Sequence, residues 1–123
     1  MGGLRWQHAV VSSAPEGSVL PATDLLAEVV RRIVEVARPE RIILFGSAAR
    51  GDAGPDSDLD LLVVKRGVEH RRRLAQPIYR RLLGVEVPVD VLVVTPEDIE
   101  EFRDEAGTII GPALREGREV YVA

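Results

Sequence analysis

The chain of 123 residues has no cysteine. Disulfides, thiolate metal sites and thiol nucleophiles are excluded together. Histidine is almost as scarce. His8 and His70 lie far apart in sequence and form no metal-ligand spacing. Lys65 is the only lysine, and the other basic residues are arginines. Positive charge is not in excess, because the formal net charge is −4. That argues against nucleic-acid binding through bulk charge, although a local basic patch remains compatible with it. No apolar run approaches the roughly 20 residues of a membrane span. The N-terminus lacks a basic segment followed by an apolar core, so no signal peptide is expected. These absences lead to the expectation of a cytoplasmic protein without membrane association.

What is present suits one domain. The hydrophobic fraction is 46% and the charged fraction 29%. A chain of this size buries roughly two-thirds of the surface its unfolded form exposes. Residues 1–21 have weak periodicity and read either as a loose N-terminal arm or as a segment with a short strand at Val10-Val11. Residues 22–123 hold the patterned domain. Thr23 reads as a helix N-cap, followed by Leu25, Leu26, Val29, Val30, Ile33, Val34 and Ala37 at helical spacing.

Arg41 to Phe45 reads as a buried strand that stops at Gly46. Residues 47–57 are rich in Gly, Asp and Pro and predict a turn-rich connection with one helical turn at its start. Asp58 to Val64 is a second strand, residues 69–83 a basic amphipathic helix, and Val87 to Val94 a third strand with Pro88 at its start. Thr95-Pro96-Glu97-Asp98 is a helix start with a cap, a proline in the first turn and acids at the positive dipole end. That helix is expected to run to about Glu105. Ile109 to Glu116 and Glu119 to Val122 read as a further helix and a last strand. The alternation predicts an α/β (α+β) fold with a small mixed β-sheet flanked by helices.

The chemistry gathers at Gly46-Ser47-Ala48-Ala49-Arg50-Gly51 and Ser57-Asp58-Leu59-Asp60-Leu61. Residues two apart on a strand share a face, so Asp58 and Asp60 are expected side by side. Bare carboxylates repel, and a divalent cation between them relieves the repulsion; hard oxygen donors suit Mg²⁺ or Mn²⁺. Asp90 interrupts the apolar run Val89-Asp90-Val91-Leu92-Val93-Val94. An acid inside such a run is expensive unless it is paired or metal-bound. If that strand lies beside the second, Asp90 joins the cluster as a third carboxylate, as two-metal phosphoryl transfer requires. It is also placed to accept the nucleophile's proton. Gly46 permits close backbone approach to a phosphate, Ser47 adds a hydroxyl and an N–H, and Arg50 offers a planar fork to phosphate oxygens. Singly, each piece has an ordinary explanation as a turn, a strand-edge pair or a surface arginine. Together those explanations require several unrelated coincidences.

Gly46-Ser47, ten residues, then Asp58-Leu59-Asp60 resembles the signature of the DNA polymerase β-like nucleotidyltransferase superfamily. The longer form, Gly-Ser-Ala-Ala-Arg-Gly with Ser-Asp-Leu-Asp-Leu, is similar to minimal nucleotidyltransferase (MNT) domains over roughly residues 22–123. The resemblance implies a metal-dependent enzyme of the nucleotidyltransferase fold. Gly46, Ser47 and Arg50 would hold the phosphates of a nucleoside triphosphate, with ATP expected. Asp58, Asp60 and Asp90 would be the catalytic carboxylates and Mg²⁺ ligands. A chain this short has no room for an acceptor domain. Minimal domains often pair with an all-helical HEPN protein, so the resemblance further implies AMP transfer to a tyrosine of a HEPN toxin and an antitoxin role. Alternatives are a non-catalytic module that neutralises a partner by contact, or transfer to a small molecule or RNA end. The third would need an oligomer to complete the site, and the acidic balance disfavours RNA. Homodimerisation suits so small an enzyme, but no interface pattern stands out. The arginine run Arg71-Arg72-Arg73 with Arg80-Arg81 reads first as a solvated helix face. Tyr79 and Tyr121 read as core or rim residues, and His70 is a poorer base candidate than Asp90.

Overall fold

Apolar side chains at every third or fourth position turn one helical face toward a core, and that pattern forms helix α1, Leu20–Ala37. The computed structural model describes residues 20–51, 58–105 and 107–123. The expectations for residues 1–19 and for 52–57 lie outside the described residues. Helix α1 begins at Leu20, so Thr23 lies within it and is not its cap.

Four strands follow: β1 (Arg41–Phe45), β2 (Leu59–Val64), β3 (Val89–Val94) and β4 (Arg118–Val122). Between them run α2 (Gly46–Arg50), α3 (Arg71–Arg81), α4 (Pro96–Phe102) and α5 (Ile110–Glu116). The sheet order is β3-β2-β1-β4. β1 is antiparallel to β2 and to β4, while β2 and β3 are parallel. The expected mixed sheet flanked by helices is therefore the observed fold. Most element ends differ from the sequence pattern by a residue or two, but α4 stops at Phe102, short of the expected Glu105, and α1 starts at Leu20, ahead of the expected cap. Asp58 stands just before β2, and β3 starts after Pro88, whose carbonyl accepts from the Leu59 N–H at 2.9 Å.

The strand period of two divides the core between two faces. On one face, Leu26, Val29, Val30 and Ile33 of α1 and Ile78 of α3 pack on Ile42, Leu44, Leu61 and Val63. On the other, Ile99 of α4 and Ile110 and Ala113 of α5 cover Ile43, Phe45, Leu62, Val64 and Val94. Leu61, Leu62 and Val63 are fully buried, as the central position of β2 requires. Among the described residues, no helix is long and apolar enough to cross a membrane.

Local chemistry sets the joints. Thr95 caps α4: its hydroxyl accepts from the Asp98 N–H at 3.0 Å, and Asp98 accepts from the Thr95 N–H at 2.9 Å. Asp98 also pairs with Arg71, tying the start of α3 to the start of α4. Arg32 on α1 donates to the carbonyls of Arg81 and Leu83, each at 3.1 Å, and so closes the end of α3. β3 is an edge strand. The Tyr79 hydroxyl occupies that edge and accepts from the Val91 N–H at 2.7 Å. An edge whose middle donor is already taken is a poorer template for another strand.

Candidate active site

The topology brings three strand ends together. β1 finishes where β2 and β3 begin, because β1 runs against both. Phe45 stands opposite Asp60, and Asp60 stands opposite Asp90 in the parallel register. Asp60 shares a sheet face with Leu62 and Val64, and Asp90 shares it with Leu92 and Val94. Both carboxylates thus open on the face covered by α4 and α5, at the end where β1 gives way to α2.

Asp60 is partly buried, whereas Asp58 and Asp90 are exposed. The exposure of Asp90 corrects the cost argument made from its apolar neighbours. β3 is an edge strand, so an acid at this position is solvated and needs no buried partner. Its position beside Asp60 matches the expectation; the premise of a buried acid does not hold.

The acids influence one another. Partial burial raises the Asp60 pKa first, and the charges of Asp90 and then Asp58 raise it further. The nearby Arg50 charge acts in the opposite direction. The central carboxylate is therefore disfavoured when ionised, and a cation would reverse that balance.

Gly46 explains how the turn fits. Its φ is +75°, a region that L side chains rarely adopt. A Cβ built there would collide with Asp60 Oδ2. Glycine at this position therefore serves the turn and leaves room for the carboxylate. Ser47 and Arg50 follow in the single turn of α2, where the Gly51 N–H closes onto the Ser47 carbonyl at 3.1 Å. Buried Ala49 seats that turn on the core.

The donor set fits a divalent cation in chemistry: three carboxylates, one raised in pKa by burial and by the charges of the other two, beside a glycine cradle. It is not a closed cage. Among the described residues, no three Asp, Glu or His side chains converge enough to enclose a metal by themselves. Mg²⁺ sites commonly use one or two carboxylates and complete the shell with water and substrate phosphates. An open arrangement is compatible with that habit.

Other sequence candidates lie elsewhere. Arg71, Arg72 and Arg73 begin α3 at the opposite end of the sheet, where Arg71 meets Asp98. Arg72, Arg73 and Arg80 are exposed, and Arg81 pairs with Glu35, as a solvated face would have it. His70 precedes α3, remote from the acids. Tyr121 is buried in the core, and Tyr79 lies on the rim. Sequence reasoning missed Glu116. It meets Arg50 Nη1 at 3.3 Å across 66 residues, a separation that leaves no local signal.

The sequence signature of the nucleotidyltransferase domain matches residues 24–115. The chain belongs to the nucleotidyltransferase domain family. No curated protein shows significant sequence similarity. Among solved structures, one described as a nucleotidyltransferase from Sulfolobus solfataricus is 24% identical with a TM-score of 0.54. The match covers 76% of this chain and 79% of that one. A toxin-antitoxin structure with AMP-PNP is 19% identical with a TM-score of 0.53, covering 78% and 73%. Both likenesses establish a shared nucleotidyltransferase fold. Members of this family generally act on nucleoside triphosphates with a divalent metal.

Proposed function

We propose that this nucleotidyltransferase moves AMP from ATP onto a hydroxyl acceptor, a tyrosine of a HEPN-type partner toxin, and so acts as an antitoxin. The transferase unit would span residues 22–123. The observation that carries the reading is the in-register placement of Asp60 and Asp90 beside the Gly46 turn.

In this reading, the N–H groups and hydroxyl of the Gly46-Ser47 turn hold phosphate oxygens, and Arg50 adds a bidentate donor. Asp58, Asp60 and Asp90 form the ligand set for Mg²⁺, with Mn²⁺ as a substitute. A metal held there would neutralise charge on the triphosphate and make the acceptor hydroxyl easier to deprotonate. Solvated Asp90 accepts the acceptor's proton. The acceptor oxygen bonds to the α-phosphorus, the bond from that phosphorus to the bridging oxygen breaks, and pyrophosphate leaves. Adenine is favoured over other bases because the toxin-antitoxin structure of the same fold carries AMP-PNP.

The first test is calorimetric titration of ATP with Mg²⁺ into the wild type and an Asp58→Asn/Asp60→Asn variant. Metal-dependent binding that the variant loses is the expected result. Absence of binding in the wild type, with Mn²⁺ and the other triphosphates also tried, sinks the catalytic reading. The open carboxylate arrangement lends weight to one alternative, neutralisation by contact alone. Neutralisation retained by an Asp58→Ala/Asp60→Ala variant would favour that alternative.

A further inference from the structure

Arg50 is the arginine of the signature turn, and Glu116 is among the groups that hold it. Its Nη1 donates to Glu116 Oε1 at 3.3 Å, joining α2 to α5. Both side chains are about half exposed, at 47% and 51%, so the pair adds little to folding stability. Its consequence lies in where the guanidinium waits.

We propose that Glu116 is a positioning residue that holds the Arg50 guanidinium at the mouth of the acid cluster for the incoming triphosphate. This inference rests on the nucleotidyl-transfer reading above. Three observations support it. The backbone of Arg50 is fixed, because Ala49 beside it is buried in the core. Arg50 ends the single turn that Gly46 begins, and Gly46 lies against Asp60 Oδ2, so the turn roots the arginine beside the cluster. Glu116 itself sits on a firm base. It is the last residue of α5, and the following Gly117 N–H closes the helix onto the Ala113 carbonyl at 2.8 Å. A Cβ on Gly117 would stand only 2.9 Å from the Leu44 carbonyl, so this helix end is pressed against β1.

The physical gain is preorganisation. A long arginine side chain samples many rotamers, and confining them beforehand lowers the ordering cost when phosphate arrives. An exposed pair is screened by salt, so the benefit should shrink as ionic strength rises. A contact made to the triphosphate before and during reaction alters affinity more than turnover.

The test is a double-mutant cycle read by calorimetry with ATP and Mg²⁺. Glu116→Gln is expected to weaken binding by about 2- to 5-fold at low salt, the range of an exposed ion pair. Glu116→Asp should recover part of the loss, and high salt should close the gap. In an Arg50→Ala background the Glu116→Gln change should cost nothing more. Thermal melts of each variant identify any loss that comes from misfolding. Binding by Glu116→Gln equal to wild type overturns the inference, as does a loss that persists without Arg50. Both results leave the transfer reading intact, because the wild type still binds. A wild type that binds no nucleotide removes the reading and this inference with it.

Discussion

Replacing Gly46 with alanine should separate stability from activity. Two costs meet at this residue. The first is backbone strain, because φ is +75°. An L residue held in the left-handed region costs about 1–2 kcal/mol. For a domain of this size that lowers the melting temperature by roughly 3–10 °C. The second cost is steric, and it falls on Asp60 Oδ2. The colliding atom is the end of a side chain that can rotate away, so the clash adds little to the folding cost. The displaced group, however, is the central carboxylate of the site. Misplacing a group that supports a metal site costs about 10–100-fold in metal affinity or activity. Gly67 supplies the control. It has φ +77°, nothing within 4 Å of a built Cβ, and a position beyond the opposite end of β2. Gly46→Ala and Gly67→Ala should melt at similar temperatures, both below wild type. Only Gly46→Ala should lose Mg²⁺-dependent ATP binding in calorimetry. Wild-type affinity in Gly46→Ala would refute the steric argument, and equal binding losses in both variants would reduce it to general destabilisation.

Two further outcomes follow from the geometry. Burial and the Asp90 and Asp58 charges raise the Asp60 pKa, so the folded state holds that proton more tightly than the unfolded chain. Metal-free stability should therefore fall as pH rises from the ordinary carboxylate range through the folded value. Asp60→Asn should flatten that fall and raise the metal-free melting temperature at neutral pH; thermal melts across pH check this, and a variant less stable than wild type contradicts it. Tyr79→Phe removes the acceptor for the Val91 N–H on the β3 edge. The loss should be about 0.5–1.5 kcal/mol in urea unfolding, nearer the low end because the site is half exposed. An unchanged unfolding midpoint would show that water replaces the hydroxyl without cost.

The elements were legible because their signals are local. Leu26, Val29, Val30 and Ile33 repeat at the spacing of one helical face, and Thr95 and Asp98 close a cap within one turn. Gly46-Ser47 and Asp58-Leu59-Asp60 were legible because the turn and the strand start each lie in one short segment. Element ends blurred where local preference and tertiary fit compete, as at Thr23, which α1 absorbs.

The amino-acid sequence by itself determined the alternation of strands and helices, the glycine turn, the Asp-X-Asp pair and membership of a nucleotidyltransferase-like class. The first three depend on spacing within a segment, which side-chain periodicity and backbone sterics translate directly; the last rests on the resemblance of the Gly46-Ser47 and Asp58-Leu59-Asp60 motif to a known signature. Tertiary structure alone decided that Asp90 lies in register with Asp60, that β3 is an exposed edge, and that Glu116 reaches Arg50. Those facts depend on strand order and on contacts between residues distant in the chain. Such contacts arise only when the sheet assembles, and no local preference encodes them.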